Sequence, residues 1–415
     1  GSAPGGEPVS GTFDDVVDQS GNGDGPWTWY YIYGGLHEGR YDWSFTADKG
    51  QTWLCDVSVW VGPAGGDDDT GDDDDSVGPP PDNPFGIGLV GPGNTDQWNR
   101  TAELAGRGGH VKLIFPGIQL GMTQPPQEWI DTVDGVYARD LVPVIRLQTA
   151  WGDTTIRNLS DDPGHMDYHS LAAAFGAVVQ ALPKRPDWPM VIEVFNEPNL
   201  CYEWTCDAGE GWLNYTTMAA EYAALLRDVT NALHAIGDPR IHVINAGYAP
   251  GGVVECECGG ANWTGGITSE DYIIAMEAAV PGVHSQLDGF STHAYPAQGE
   301  GWGFFEEYAI CGPGLYYFEA ELAALGNPPL RAYITETGWS VNYAAGGNRQ
   351  LVADWTLLAW QNDWFPHANI EAVMPFMLQD GQWEEFAWVD LSDNPYPVFT
   401  TIRDWRCSMG FPDPC

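Results

Sequence analysis

From residue 85 onward, short apolar runs alternate with longer stretches of helical period. The runs at 85–90, 110–115, 141–147, 190–195, 241–246, 289–293, 333–336 and 372–378 are brief and rich in β-branched or aromatic residues, as buried parallel strands are. Between them, 98–105, 128–139, 215–236, 271–279, 316–325, 350–361 and 396–405 carry the 3.6-residue period of amphipathic helices, and Gly237-Asp238-Pro239 stops the long one at 215–236. Eight strand runs alternating with seven helical stretches predict an α/β fold, a (β/α)8 barrel filling 85–415.

The first 84 residues read differently. Residues 1–62 are rich in Gly, Trp and Tyr, with strands expected at 27–33 and 53–60, and form either a small β-rich module or strands annexed to the barrel. Its aromatic residues suit either a small core or a sugar-binding face. Residues 63–84 hold runs of aspartate followed by Pro79-Pro80-Pro81, a self-repelling composition that reads as a linker. Clustered aspartates also suit Ca²⁺, although the run lacks the Asp-x-Asp-x-Asp-Gly spacing of a calcium loop.

Two of the barrel strands end in chemistry. One runs through Val194 and Phe195 into Asn196-Glu197-Pro198; the other runs through Tyr333 and Ile334 to Thr335-Glu336-Thr337-Gly338-Trp339. A single Asn-Glu-Pro triplet is also what a strand stop looks like, so it is the pair, set within an alternating barrel pattern, that points to a site. By the same rule the mouth gathers Arg146 and Gln148 from the third strand, with Trp151 after it, His293 and Tyr295 from the sixth, and Trp383 beyond the eighth.

The runs Phe195-Asn196-Glu197-Pro198-Asn199-Leu200, with Glu203-Trp204, and Ile334-Thr335-Glu336-Thr337-Gly338-Trp339 resemble those of the retaining glycoside hydrolases of clan A, most of all family thirty-nine and the cellulase-like bacterial branch, over about residues 85 to 405. The resemblance implies Glu197 as acid/base, Glu336 as nucleophile, Asn196 on the sugar 2-hydroxyl, Tyr295 touching Glu336, and Trp383 under the reacting sugar, a place for which Trp388 and Trp302 compete. It fits least well at arginine: many clan members carry one on the second strand, where this chain has Lys112, while Arg146 lies on the third.

Composition narrows the partners. Acidic residues number 58 against 16 Lys plus Arg, a formal charge of −42, which disfavours nucleic acid and anionic membranes and leaves a neutral or cationic substrate. No apolar run is long enough to span a bilayer. Twenty tryptophans exceed what a core of this size needs, and flat rings with a polar N–H suit stacking on sugars. Eight cysteines without a zinc spacing indicate disulfides and an oxidising compartment; Cys201 with Cys206 and Cys407 with Cys415 are short-range candidates. The start Gly-Ser-Ala-Pro lacks a signal-peptide pattern, so a mature or trimmed chain is expected.

No dinucleotide or metal motif is present, and no cofactor or metal is expected. The expectation is a secreted, monomeric, retaining β-glycoside hydrolase acting on a polysaccharide, with long loops at 200–214, 247–270 and 295–314 building an extended cleft. Two alternatives stay open: a transglycosylase using the same glutamates, and a non-catalytic carbohydrate-binding barrel.

Overall fold

The computed structural model describes backbone and side chains for residues 79–150, 156–200, 203–204, 215–250, 267–296, 315, 317–342 and 344–411, and backbone alone at 39–47, 52–61, 201–202, 253–258, 261–266 and 316. The chain divides into two compact units, Gly1–Asp72 and Asp73–Cys415.

In the first unit, β1 (Gly39–Ala47) pairs antiparallel with β2 (Thr52–Val61), with a register shift between Phe45 and Thr46. The strand expected at 27–33 lies outside the described residues, whereas β1 was not anticipated, because Gly39-Arg40-Tyr41-Asp42 is too polar to read as a strand by composition.

In the second unit, β3 (Gly86–Gly88), β4 (His110–Pro116), β5 (Val142–Gln148), β6 (Met190–Val194) and β7 (Ile241–Asn245) form one parallel sheet in sequence order. Past the hairpin of β8 (Val253–Cys258) and β9 (Ala261–Gly266), a second parallel sheet follows, made of β10 (Phe290–Thr292), β11 (Ala332–Ile334) and β12 (Ile370–Val373). The two sheets close into a ring of eight strands among the described residues. On one side Phe85 bridges to Val373, and Gly88 N donates to Pro375 O at 2.9 Å. On the other, Asp288 N donates to Val243 O at 2.9 Å and the Asn245 side chain bonds both Ser291 N (2.9 Å) and Ser291 O (2.8 Å), so one amide stands in for a missing stretch of ladder.

The outer ring comprises α1 (Thr95–Ala105), α2 (Gln127–Tyr137), α3 (His169–Ala181), the single turn α4 (Cys201–Trp204), α5 (Tyr215–His234), α6 (Ser269–Ala279), α7 (Tyr316–Ala324), α8 (Arg349–Ala359) and α9 (Pro397–Ser408). Several starts are written locally: Asn94, Thr268 and Asn348 cap α1, α6 and α8 with their side-chain oxygens, and Pro397 begins α9. Helix α3 was not anticipated. Its sequence, His-Ser-Leu-Ala-Ala-Ala-Phe-Gly-Ala-Val-Val-Gln-Ala, is apolar nearly all round, because even its exposed face carries Ala173 and Ala177, and so lacks the amphipathic stripe.

Two further differences have simple causes. The last barrel strand ends at Val373 because Pro375 cannot join a ladder, although Met374 and Leu378 still donate to Ile334 O and Gly88 O. The loop at 247–270 is not structureless: β8 and β9 pair through Cys258 and Ala261, with Gly259-Gly260 between, a hairpin signal that was present in the sequence. Cys407 on α9 is disulfide-bonded, whereas Cys201 has no described side chain and Cys206 lies outside the described residues.

Inside the ring, Val144, Val191, Ile244, Tyr333, Ala372 and Met374 make an apolar layer of their own, separate from the larger core between strands and helices. Strand alternation then places Arg146, Glu193 and Thr335 two residues farther along, in the next layer toward the C-terminal ends.

Candidate active site

The mouth is built from strand ends. After β6 the backbone leaves the ladder abruptly: Phe195 has φ 71° and Glu197 φ 34°, left-handed values that a phenylalanine and a glutamate adopt only when their surroundings enforce them. Phe195 N donates to Leu147 O at 3.0 Å and Glu197 N to Gly247 O at 3.1 Å, so the third and fifth strands hold the turn on both sides. Asn196 and Glu197 are thereby presented to the mouth.

Gly247 has a second duty. A Cβ there would lie 2.1 Å from Cδ2 of His293, so only glycine lets that ring settle against the fifth strand. The fully buried ring places Nδ1 2.8 Å from Glu197 Oε1 and 3.8 Å from Glu336 Oε2. Glu336, just beyond β11, meets Lys112 Nζ at 3.0 Å and Arg146 Nη1 at 3.7 Å through Oε1, and accepts from Tyr295 Oη at 3.1 Å through Oε2. Glu197, His293 and Glu336 each offer a ligand-type atom, all within 4.8 Å of one another.

Burial pushes the Glu336 carboxyl up, but His293, Lys112 and Arg146 outweigh it and hold its pKa at about 2. His293 is pushed down by burial, yet the negative charge of Glu336, the nearby Glu193 carboxylate and the hydrogen bond to Glu197 raise it to about 9 against the opposing charge of Lys112. The 3.3 Å approach of Lys112 Nζ to His293 Nε2 is a hydrogen bond when Nε2 is bare; in the imidazolium, which the carboxylates favour, Nε2–H faces Glu193 Oε1 at 3.8 Å. Burial and the charge of Glu336 keep the proton on Tyr295, which makes it a donor.

Asn196 accepts from Arg146 Nη1 at 2.7 Å, and Arg146 Nε donates to Gln148 at 2.7 Å. The other edge of the Asn196 amide meets Glu203, on α4, whose carboxyl burial pushes up to about 7 against the pull of Arg146. Trp204 beside it is a packing residue, fully buried and donating to Glu221.

The structure thus brings together Glu197, Glu336, Asn196, His293, Tyr295 and Arg146. Trp383 is 41% exposed, with Phe376 and Phe386 as ring neighbours. Trp388 is buried and offers no free face, and Trp151 and Trp302 lie outside the described residues.

Sequence reasoning passed over Lys112 as a contact and Glu193 altogether, and left Glu203 open between extending the cleft and packing its loop. A charged residue in the middle of an otherwise apolar strand was the available signal for the first two. A metal ion held by Glu197, His293 and Glu336 would sit beside the charges of Lys112 and Arg146, which disfavours it. The other grouping, Asp167, His169 and Asp228, belongs to the start of α3, where Asp228 accepts from Tyr168 N.

No family profile matches the sequence, and no curated relative matches it. Solved structures do share the fold. A family 39 glycoside hydrolase from the gut symbiont Bacteroides cellulosilyticus WH2 superposes with a TM-score of 0.50 at 16% identity, over 89% of this chain and 70% of the other. The family 39 enzyme from Xanthomonas axonopodis pv. citri gives 0.52 at 17% identity, over 80% and 67%. These neighbours are (β/α)8 barrels of clan A, and at such identities the likeness speaks for the fold.

Proposed function

We propose that this protein is a secreted, monomeric, retaining β-glycoside hydrolase that cleaves a neutral polysaccharide within the chain, with Glu336 as nucleophile and Glu197 as acid/base. One observation carries the reading: carboxylate atoms of Glu197 and Glu336 approach within 4.8 Å at the C-terminal mouth of the barrel. Double displacement needs two carboxyl groups about 5–5.5 Å apart, whereas inversion needs about 6.5–9.5 Å to admit a water between acid and base. The fold shared with family 39 hydrolases agrees with it.

Each neighbour then has work to do. Lys112, Arg146 and His293 keep Glu336 ionised, and Tyr295 fixes the carboxylate by a hydrogen bond. A Glu336 oxygen attacks the anomeric carbon; the bond to the departing oxygen breaks, and that oxygen takes its electron pair and the proton of Glu197. Water next gives a proton to Glu197 and attacks the same carbon, releasing Glu336 as a carboxylate. His293 aims Glu197 throughout, and the Asn196 amide, gripped by Arg146 and Glu203, is offered to the sugar 2-hydroxyl.

Eight cysteines, one of them seen in a disulfide, support a secreted protein. The excess of acidic side chains supports an uncharged substrate, and the tryptophan content a polymeric one. The test is hydrolysis of a panel of β-glucans, xylans, mannans and galactans, with the first-formed anomer followed by proton NMR. A β-product is expected. An α-product would replace retention with inversion, and no cleavage of any polymer or aryl glycoside would end the proposal.

A further inference from the structure

Below Glu197 and Glu336 sits a third carboxylate that the reaction just described does not consume. Glu193, on β6, is wholly buried. Its Oε1 accepts from Ser291 Oγ at 2.8 Å, Thr335 Oγ1 at 2.7 Å and Gly247 N at 3.1 Å, and its Oε2 faces Lys112 Nζ at 3.2 Å. The same ammonium lies 3.0 Å from Glu336 Oε1 and 3.3 Å from His293 Nε2. One cation therefore stands between two carboxylates, with Arg146 at 3.7 Å from Glu336 and with His293 linking the set to Glu197.

Hydroxyl and amide donors converge on one carboxylate oxygen and an ammonium faces the other, surroundings that suit the anion better than the acid. Burial alone would favour the acid, but Lys112 and His293 hold its pKa well below the usual carboxylate range. It is a permanent anion. Glu336, on the reading that it is the nucleophile, is not: attack turns it into a neutral ester, and Lys112 then has no anion above it. A buried ammonium without its counter-charge is far costlier than a paired one.

We propose that Glu193 is a positioning residue whose constant charge keeps Lys112 paired while Glu336 is esterified, so that the glycosyl-enzyme is not penalised by an uncompensated buried cation. This rests on the assignment of Glu336 as nucleophile. Without Glu193 the whole pull of Lys112 falls on Glu336 in the resting enzyme and on nothing in the intermediate. Forming the ester becomes harder, and losing it does not.

The experiment compares the full-length wild type with Glu193→Gln and with Glu193→Gln combined with Lys112→Met. With ring nitrogens of histidine labelled, NMR titration should show the His293 midpoint falling by about one pH unit in Glu193→Gln, as a nearby anion is removed. With an activated aryl β-glycoside, kcat/KM should fall on the order of 10²-fold and its acid limb move to lower pH. Release of a 2-deoxy-2-fluoro sugar trapped on Glu336 should be as fast as in wild type or faster. Loss of packing alone would slow both steps alike and leave the limbs in place, and that result overturns the proposal. So does an unchanged His293 midpoint, whether or not any glycoside is cleaved, which separates this failure from failure of the hydrolase reading. If Glu193→Gln does not fold, Lys112→Met serves as the parent: adding Glu193→Gln should leave the ratio of the two step rates within about twofold, and a further selective loss of the first step would sink the idea.

Discussion

Val144, Val191 and Tyr333 lie two residues before Arg146, Glu193 and Thr335 on the same three strands, in the apolar and the polar layer of one barrel. The lower layer excludes water and is held by packed area. The upper layer is buried too, yet carries Lys112, Arg146, Glu193, His293 and Glu336, and is held by pairing: every one of these charges has an opposite charge within 4 Å. A single strand pattern thus supplies a stable floor and an electrostatically tense surface above it. Damage to the floor should cost stability; damage to the upper layer should cost chemistry.

The largest effect expected is from Glu336→Gln, which keeps the shape and hydrogen-bonding capacity but removes the nucleophile. Turnover should drop by roughly 10⁴-fold or more, and steady-state kinetics with aryl glycosides would contradict the assignment if even a tenth of the activity remained.

Glu197→Ala should lose roughly 10²–10⁴-fold on substrates with poor leaving groups and much less on activated aryl glycosides. Azide, which needs no base, should restore the second step and yield a β-glycosyl azide; identification of the α-azide would exchange the roles of the two glutamates.

In the floor, Ile244→Ala should cost about 2–5 kcal/mol in urea unfolding, because a wholly buried side chain is lost from a closed ring. Both limbs of the pH–rate profile should stay in place. A shifted limb would mean that the layers are not separable.

The charges of the upper layer also set a pH signature. His293 titrates at about 9 against an ordinary 6.5, so its contribution to stability is complete below pH 6.5 and is lost as pH rises toward 9. Glu336, at about 2 against 4.5, contributes above pH 4.5 and loses its share as pH falls toward 2. The melting difference between wild type and His293→Asn should therefore shrink between pH 6.5 and 9, while the difference for Ile244→Ala holds constant. Parallel behaviour of the two variants would break the comparison.

The smallest effect expected is at the rim. Trp383, 41% exposed, should contribute about 0.5–1.5 kcal/mol if sugar stacks on it, so Trp383→Ala should raise KM several-fold with kcat little changed. An unaltered KM would place the stacking surface elsewhere.

What the chain reveals by itself is whatever period and local chemistry encode. Alternation of apolar runs with helical stretches predicted the barrel, and the polar endings Asn196-Glu197 and Glu336 marked two of its strands as site-bearing, since strand ends in such a barrel converge. Helix α3 escaped because its exposed face carries Ala173 and Ala177 and so shows no polar stripe, and Trp383 could not be told from Trp388, because an indole's exposure depends on what packs over it. Lys112 and Glu193 were visible only as charges out of place in apolar strands. That Lys112 reaches Glu336, 224 residues away, and stands between it and Glu193 was decided by ring closure, which sets side chains from distant strands at hydrogen-bonding distance in a medium where an unpaired charge cannot be tolerated.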